Sequence, residues 1–328
     1  MSLPAPIVPV ARPDTHDVAA LARHVIFNQG GQTDSTSARR VVNHYLYNEL
    51  SFINTQTGEI GLAALPLETR AELYKSIASD RDSNDARDVV RMGALAEAMK
   101  LDAAFYERRL ESLQNYWTKL PELEKKWEAK HGLSHGTGLV GVLSKLYADS
   151  PDLSQAQKED VVRFLAETNA EHRGVSKPEV VFYTGAANDC GWHKDGTIGV
   201  NTASTWFLRT PSKLVNTILH ETNHHADHKL VDDYRAGKVT RDNPDYAPAV
   251  ILDANFSHDG RGYFRADNPV GHWVYEKLNS SETSSNFVGE AGMELGRQAV
   301  AARQNDVAAS RPSAPSSRSP KPAAALTV

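Results

Sequence analysis

The sequence predicts an α+β fold that is predominantly helical, in which a helical N-terminal region precedes a domain with a small sheet and two helices that carry metal ligands. Three observations support this prediction. Up to residue 176, apolar residues recur at three- and four-residue steps, which is the period of an amphipathic helix. Runs rich in β-branched and aromatic residues follow after Gly174. An H-E-x-x-H motif then stands in a further stretch, where its spacing fits a helix.

The composition is that of an ordinary globular protein. The 328 residues are 40% hydrophobic and 23% charged, and this length accommodates two domains or one domain with large additions. We expect disordered, proline-rich ends at residues 1–14 and 305–328, because such segments cannot form a packed core. Between them we expect a helical domain at residues 15–176 and a domain containing the motif at residues 177–304.

Charge, cysteine content and hydropathy exclude several classes of protein. A net charge of −5 without a basic patch argues against nucleic acid as a partner. The single cysteine excludes an intramolecular disulfide framework. No apolar run reaches the roughly 18–20 residues of a membrane span, and the N-terminus lacks the basic start of a signal peptide. We therefore expect a soluble protein that stays in the cytoplasm or is exported without a cleaved signal peptide.

The N-terminal region contains a series of predicted helices. They are residues 67–79 behind Pro66, one long helix at residues 84–117, a charged helix at residues 122–130 after Pro121, and a helix at residues 152–172 that begins near Ser154. The long helix has the clearest apolar stripe, at Leu95, Met99, Ala103, Tyr106, Leu110, Leu113 and Trp117. Ser154 suits the cap of the last helix.

The C-terminal region alternates short extended runs with helices. Residues 179–184 (EVVFYT) and 197–201 (TIGVN) are predicted strands, and the polar residues 185–196 between them are a predicted loop. Pro211 suits the first turn of the motif helix, with Thr210 as its cap. Residues 237–248 and 256–271 are rich in Asn, Asp, Gly and Pro and predict loops. A last helix is predicted at residues 281–304.

His220, Glu221 and His224 form the motif. Four residues make slightly more than one helical turn, so both imidazoles project from the same face of the helix. Neutral imidazoles at this spacing can hold one zinc ion, and the glutamate between them points toward the open side of the metal. The pattern therefore predicts two metal ligands, His220 and His224, and a general base, Glu221.

A catalytic zinc needs a third protein ligand, which the motif helix itself does not supply. Leu230 stands where a metzincin has its third histidine, so that arrangement is excluded. His228 lies one turn beyond the motif, too far along a straight helix to complete a tetrahedron. His225 points away from the face that carries the two ligands.

Residues 281–289 (SETSSNFVG) resemble the second metal helix of the thermolysin-like gluzincins, whose pattern is N-E-x-x-S-D. The resemblance makes Glu282 the third ligand, and it puts Asn286 where an acidic residue hydrogen-bonds a ligand histidine. Ser285 matches the serine of the pattern. Ser281 and Asn286 depart from it, so the carboxylate behind the histidine would be missing. The resemblance covers residues 178–304 and implies a zincin-like domain with one Zn²⁺.

Two roles are open to more than one residue. The alternatives to Glu282 as the third ligand are Glu290, about two turns further along the helix, and the pair His258 and Asp259. The oxyanion formed in hydrolysis needs a donor beside the metal. The candidates lie between the two ligand helices: Tyr263 first, then Tyr246, His258 and His272.

Two other patterns have simpler explanations. Residues 136–141 read G-T-G-L-V-G, but a dinucleotide site needs a buried strand directly before the glycines. The preceding residues are charged and predict a helix, so the glycines are expected to connect two helices. Cys190 lies three residues from His193, but no helix begins behind it to lower the pKa of the thiol.

The sequence therefore predicts a zinc-dependent endopeptidase. Zinc would lower the pKa of its bound water toward about 7, and Glu221 would take the proton as general base and pass it to the leaving amine. The partner would be a protein substrate, and the helical N-terminal region would bind that substrate, a chaperone or a host protein. This organisation is similar to that of bacterial metalloprotease effectors and toxins, which act inside another cell. The alternative is a non-catalytic helical interaction protein with a structural or vestigial metal site, which has no need of Glu221.

Overall fold

The computed structural model describes residues 35–47, 57–78, 86–132, 138–256 and 280–309. The described helices are α1 (Ser35–Tyr47), α2 (Leu67–Ala78), α3 (Ala86–Glu97), α4 (Ala103–Thr118), α5 (Leu120–His131), α6 (Leu139–Tyr147), α7 (Gln155–His172), α8 (Thr205–Leu208), α9 (Lys213–Arg235), α10 (Tyr246–Phe256) and α11 (Ser280–Ala309). A 3-10 turn covers Gly61–Ala64, and the strands are β1 (Glu179–Tyr183), β2 (Gly191–Lys194) and β3 (Thr197–Asn201). These elements confirm the predicted α+β, predominantly helical fold. No described helix combines the length and the apolar composition that crossing a bilayer requires.

The strands form one mixed sheet in the order β1-β3-β2. β1 is parallel to β3, and β2 runs antiparallel along the other side of β3, with Trp192 opposite Gly199. The predicted loop at residues 185–196 is therefore wrong in its second half, which is β2. Asp195 and Gly196 have positive φ angles of 48° and 79° and form the two-residue turn between β2 and β3. An Asp-Gly pair is a common signal for such a hairpin, because both positions of the turn require positive φ.

The predicted long helix at residues 84–117 is two helices, α3 and α4. Asp102 interrupts it, because its carboxylate accepts a hydrogen bond of 2.8 Å from the backbone N–H of Phe105 and caps α4. Ala103, which the apolar stripe placed in the core, is exposed. The helix predicted at residues 152–172, beginning near Ser154, is confirmed by α7, where the Ser154 hydroxyl and the Gln157 side chain form a reciprocal capping box.

Three boundaries in the C-terminal region differ from the predictions. The motif helix α9 begins at Lys213 behind Ser212, so neither Pro211 nor Thr210 has the predicted position in its first turn. Helix α10 begins at Tyr246, inside the first predicted loop (237–248), and ends at Phe256, the first residue of the second (256–271). An apolar run follows Tyr246 and forms this helix. Helix α11 extends beyond residue 304, and the remainder of the predicted C-terminal tail lies outside the described residues.

The buried apolar side chains form two clusters. The larger one joins the sheet to α4–α9 and α11, and its fully buried members include Leu143, Val161 and Ile218. The smaller one joins α1–α3 to the first turn of α4 and to α10, around Leu73 and Met92. Helices on both sides of residue 176, the predicted domain boundary, contribute to the larger cluster.

Helices α9 and α11 approach each other closely at two glycines of α11. A Cβ atom at Gly289 would lie 2.8 Å from the Oδ1 atom and 2.9 Å from the backbone oxygen of Asn216. At Gly292 it would lie 2.5 Å from the Cδ1 atom of Leu219. Because no side chain fits between the two helices at these points, the start of α11 lies directly beside the motif.

Candidate metal centre

Helix α9 has one apolar face and one face that carries the motif. Leu214, Val215, Ile218 and Leu219 are at most 1% exposed and anchor the helix in the larger cluster. The side chains of His220 and His224 are 14% and 17% exposed and face the first turn of α11. The helical period therefore gives α9 a fixed orientation, which turns both imidazoles toward Glu282.

His220, His224 and Glu282 form one cluster in which the ligand atoms lie within 4.8 Å of one another. The two Nε2 atoms are 3.1 Å apart. The carboxylate of Glu282 places Oε1 3.7 Å from Nε2 of His220 and Oε2 3.3 Å from Nε2 of His224. Four tetrahedral ligand atoms at about 2.0–2.2 Å from an ion lie about 3.3–3.6 Å apart. The three side chains are therefore close enough together to hold a single metal ion, and the predicted third ligand, Glu282, is one of them.

Burial and neighbouring charges shift the pKa values of all three members of the cluster. Burial favours the neutral ring of His224, but its bond to Glu282 and the negative charge of Glu221 outweigh burial and raise its pKa. Burial opposes the charge on Glu282, but the two histidines outweigh it and lower the pKa of the carboxylate. Burial and the neighbouring His224 lower the pKa of His220 to about 4. At neutral pH His220 is therefore a neutral imidazole and Glu282 is a carboxylate, and these are the forms that bind metal.

Residues of α11 lie beside both histidines. Nδ1 of His224 lies 2.9 Å from the hydroxyl of Ser281. The side chain of Asn286 donates a hydrogen bond of 3.3 Å to Oε1 of Glu282, and hydrogen bonding from Asn286 and from the backbone of Ser285 opposes the lowering of the pKa of His220. Asn286 thus occupies the position that the resemblance assigned to it, beside a ligand histidine. Such outer contacts fix the tautomer and the orientation of a metal-binding imidazole.

Glu221 lies on the side of α9 that faces β2. It is 6% exposed, and its Oε1 atom would lie 3.4 Å from a Cβ atom at Gly191, the first residue of β2. Burial, together with the negative charges of Glu282 and Asp189, outweighs the attraction of His224 and raises the pKa of Glu221 to about 7. A carboxylate with this pKa can both accept and release a proton near neutral pH.

Tyr183 and Asp189 also border the site, although the sequence analysis did not single them out. The hydroxyl of Tyr183 donates a hydrogen bond of 2.7 Å to Asp189. Burial, this carboxylate and the charge of Glu221 raise the pKa of Tyr183. Their positions in the chain could have identified them, because Tyr183 is the last residue of β1 and Asp189 lies in the turn that leads to β2.

The other predicted site residues lie elsewhere or outside the described residues. Tyr263, His258, Asp259 and His272 fall in residues 257–279, which the structure does not describe. The hydroxyl of Tyr246 donates a hydrogen bond of 3.1 Å to Glu68 of α2. Glu290 is exposed on α11 and does not belong to the cluster of ligand atoms that the described residues form.

His225 and His228 form a separate group with His193 of β2. Nε2 of His193 lies 3.2 Å from Nδ1 of His225, whose Nε2 donates to the backbone oxygen of Ser176. The ring of His228 stacks on Phe256 at a centroid distance of 4.0 Å. These contacts account for two histidines of α9 that the predicted metal site does not use.

The two alternative patterns do not form sites in the described residues. Helix α5 precedes the glycines of residues 136–141 and α6 begins at Leu139, so the described chain on both sides is helical. Burial and the charges of Asp189 and Glu221 raise the pKa of Cys190, which disfavours a reactive thiolate.

Comparison with protein-family models, with curated proteins and with solved structures gives no match for this chain. The resemblance to the thermolysin-like gluzincins therefore stays a prediction from the H-E-x-x-H motif and residues 281–289.

Proposed function

We propose that the protein is a zinc-dependent endopeptidase that hydrolyses a peptide bond of a protein substrate. The observation that supports this proposal most directly is the convergence of His220, His224 and Glu282 beside a buried Glu221. His220, His224 and Glu282 would hold the ion. When bound, zinc supplies Lewis-acid polarisation of the scissile carbonyl and of water.

Glu221 is the residue of this chain that moves the proton. Its pKa of about 7 allows the ionised carboxylate to take a proton from water. The same carboxyl then gives the proton to the amine that leaves when the peptide bond breaks. A purely structural metal site has no use for a buried glutamate with this pKa, so Glu221 favours the peptidase over the non-catalytic alternative.

The outer edge of β2 offers a place for an extended substrate. β2 pairs with β3 on one side, and no described strand pairs with its other side. Its first residue, Gly191, packs against Glu221. A peptide that added to this edge would gain backbone hydrogen bonds and pass next to the general base. This arrangement supports a peptide substrate, because an extended chain is what an unpaired strand edge can bind.

The experiment combines metal analysis with cleavage of a panel of proteins. Wild type, Glu221→Gln, Glu282→Gln and Glu290→Gln are purified without chelators, and bound zinc is measured by mass spectrometry. We expect Glu221→Gln to keep one zinc and to lose cleavage by at least about 100-fold. Glu282→Gln should bind zinc more weakly, whereas Glu290→Gln, on the exposed side of the same helix, should match wild type. A wild type without stoichiometric zinc, or a Glu221→Gln variant that still cleaves, would overturn the proposal.

A further inference from the structure

Asp227 is a buried carboxylate directly behind the metal centre. It lies on α9 one turn beyond His224 and is fully buried. Its Oδ1 atom accepts a hydrogen bond of 2.6 Å from Arg109, and its Oδ2 atom accepts one of 3.1 Å from Asn223. A buried carboxylate is costly unless its charge and its lone pairs are satisfied, and these contacts satisfy both.

Ser281 connects this carboxylate to the metal centre. Its hydroxyl lies 2.9 Å from Nδ1 of His224 and 3.4 Å from Oδ2 of Asp227. When the hydroxyl donates to Asp227, its oxygen is left to accept the Nδ1 proton of His224. The opposite nitrogen, Nε2, then has a free lone pair, and it faces His220 and Glu282.

We propose that Asp227 is a positioning residue, which acts through Ser281 to hold His224 in the tautomer and orientation that bind metal. The relay supplies, from the motif helix itself, the negative charge that Ser281 and Asn286 do not provide. This inference relies on the metal site of the proposed function, but it concerns how the chain prepares one ligand.

Residues from two other helices keep Asp227 in place. Arg109 comes from α4, and it is bound over the ring of Phe105 at 4.8 Å. Asn223 is itself held by Arg173, at the end of α7, which donates a hydrogen bond of 2.8 Å to its Oδ1 atom. Because both arginines are far along the chain from α9, the relay forms only when α4, α7 and α9 are packed together.

Ser284 provides a matched control for Ser281. Its hydroxyl also lies 3.4 Å from Oδ2 of Asp227, and both serines are at most 1% exposed. Ser281 alone of the two has a described hydrogen bond with His224. Replacing either serine by alanine therefore removes one contact of Asp227, but only Ser281→Ala interrupts the relay.

The test measures zinc affinity by competition with a chromophoric chelator in the full chain. Asp227→Asn and Ser281→Ala should each bind zinc about 10- to 100-fold more weakly than wild type, which is the usual effect of losing such an outer partner. Ser284→Ala should stay within about threefold. The zinc affinity of the double variant Asp227→Asn/Ser281→Ala should equal that of the single variant with the lower affinity, because both changes break the same relay. Far-UV circular dichroism confirms that each variant is folded.

A second readout does not require bound zinc. In the zinc-free protein at pH 9, nitrogen NMR of the histidine side chains reports which ring nitrogen of His224 carries the proton. We expect Nδ1–H in wild type and in Ser284→Ala, and a loss of this preference in Ser281→Ala. If Asp227→Asn does not fold, the comparison between Ser281→Ala and Ser284→Ala still shows whether the relay through Ser281 holds the tautomer of His224.

Wild-type zinc affinity in Ser281→Ala, an equal loss in Ser284→Ala, or additive losses in the double variant would each overturn the relay. A wild type that binds no zinc would overturn both the proposed function and the positioning role. A wild type that binds zinc with the expected pattern of losses but cleaves no protein would overturn the peptidase alone and support the positioning role.

Discussion

The close approach of α9 and α11 predicts opposite effects of the same substitution at two helical glycines. Alanine in place of Gly289 would put its Cβ atom 2.9 Å from the backbone oxygen of Asn216, a contact that only a shift of the helices relieves. At Gly141, on the exposed side of α6, nothing lies within 4 Å of the added atom. The two variants therefore share the chemistry of the change and differ in the space around it.

The magnitudes follow from two opposing effects. Alanine is favoured over glycine in a helix by up to about 1 kcal/mol, and this gain applies to both variants. Overpacking of a tight interface costs about 1–3 kcal/mol and applies to Gly289→Ala alone. We expect the free energy of unfolding to fall by about 1–2 kcal/mol in Gly289→Ala and to rise by about 0.5–1 kcal/mol in Gly141→Ala.

Urea denaturation in the presence of EDTA, followed by far-UV circular dichroism, measures both values without a contribution from metal. Gly289→Ala should also bind zinc roughly tenfold more weakly, because separating the helices moves Glu282 away from the two histidines. A Gly289→Ala variant as stable as Gly141→Ala would refute the conclusion that the glycine permits the close approach.

Three further perturbations have definite expected results. Arg109→Met leaves the buried carboxylate of Asp227 without its cation, so the free energy of unfolding measured by urea titration should fall by about 3 kcal/mol, and adding Asp227→Asn should recover part of that loss. Burial and the neighbouring histidines lower the pKa of His193 to about 3. Below about pH 6.5 the unfolded chain therefore binds a proton at this residue that the folded chain does not bind. Stability should fall between pH 7 and pH 5, and His193→Gln should lose roughly 1 kcal/mol less than wild type over that interval; equal losses would contradict a buried neutral ring. Removing zinc with a chelator should lower the melting temperature, since free zinc at about 100 times its dissociation constant stabilises the folded state by about 2.7 kcal/mol; an unchanged melting curve would contradict binding to the folded state alone.

The features that the sequence predicts correctly are those that depend on neighbouring residues. Helix α7 is specified by the cap at Ser154 and by its own apolar period, and the shared face of His220 and His224 follows from helical geometry alone. The end of α3 was missed because a local cap at Asp102 outweighs an apolar stripe that continues through it. Strand β2 was missed although the Asp-Gly turn that specifies it is present in the sequence.

Features that depend on residues far apart in the chain do not follow from local rules. Glu282 was predicted through its resemblance to a known metal helix, since no local rule links it to a histidine 58 positions earlier in the chain (282 − 224). The role of Asp227 was not predicted, because its arginine partner lies 118 positions away and the serine that joins it to His224 lies 57 positions from that histidine. Likewise, the pKa of Glu221 depends on burial against β2, where the sequence predicts a loop.

The polar network behind His224 also determines how the chain can be divided by an engineer. A fragment beginning at residue 177 would keep all three predicted ligands and the general base, yet it would lack Arg109, Arg173 and the part of the larger cluster that α4–α7 contribute. Asp227 would then be a charge without its counter-ion, and the apolar face of α9 would meet water. We expect such a fragment to be insoluble or to bind zinc poorly. Transplanting the motif into another scaffold would therefore require moving the helices that brace it as well.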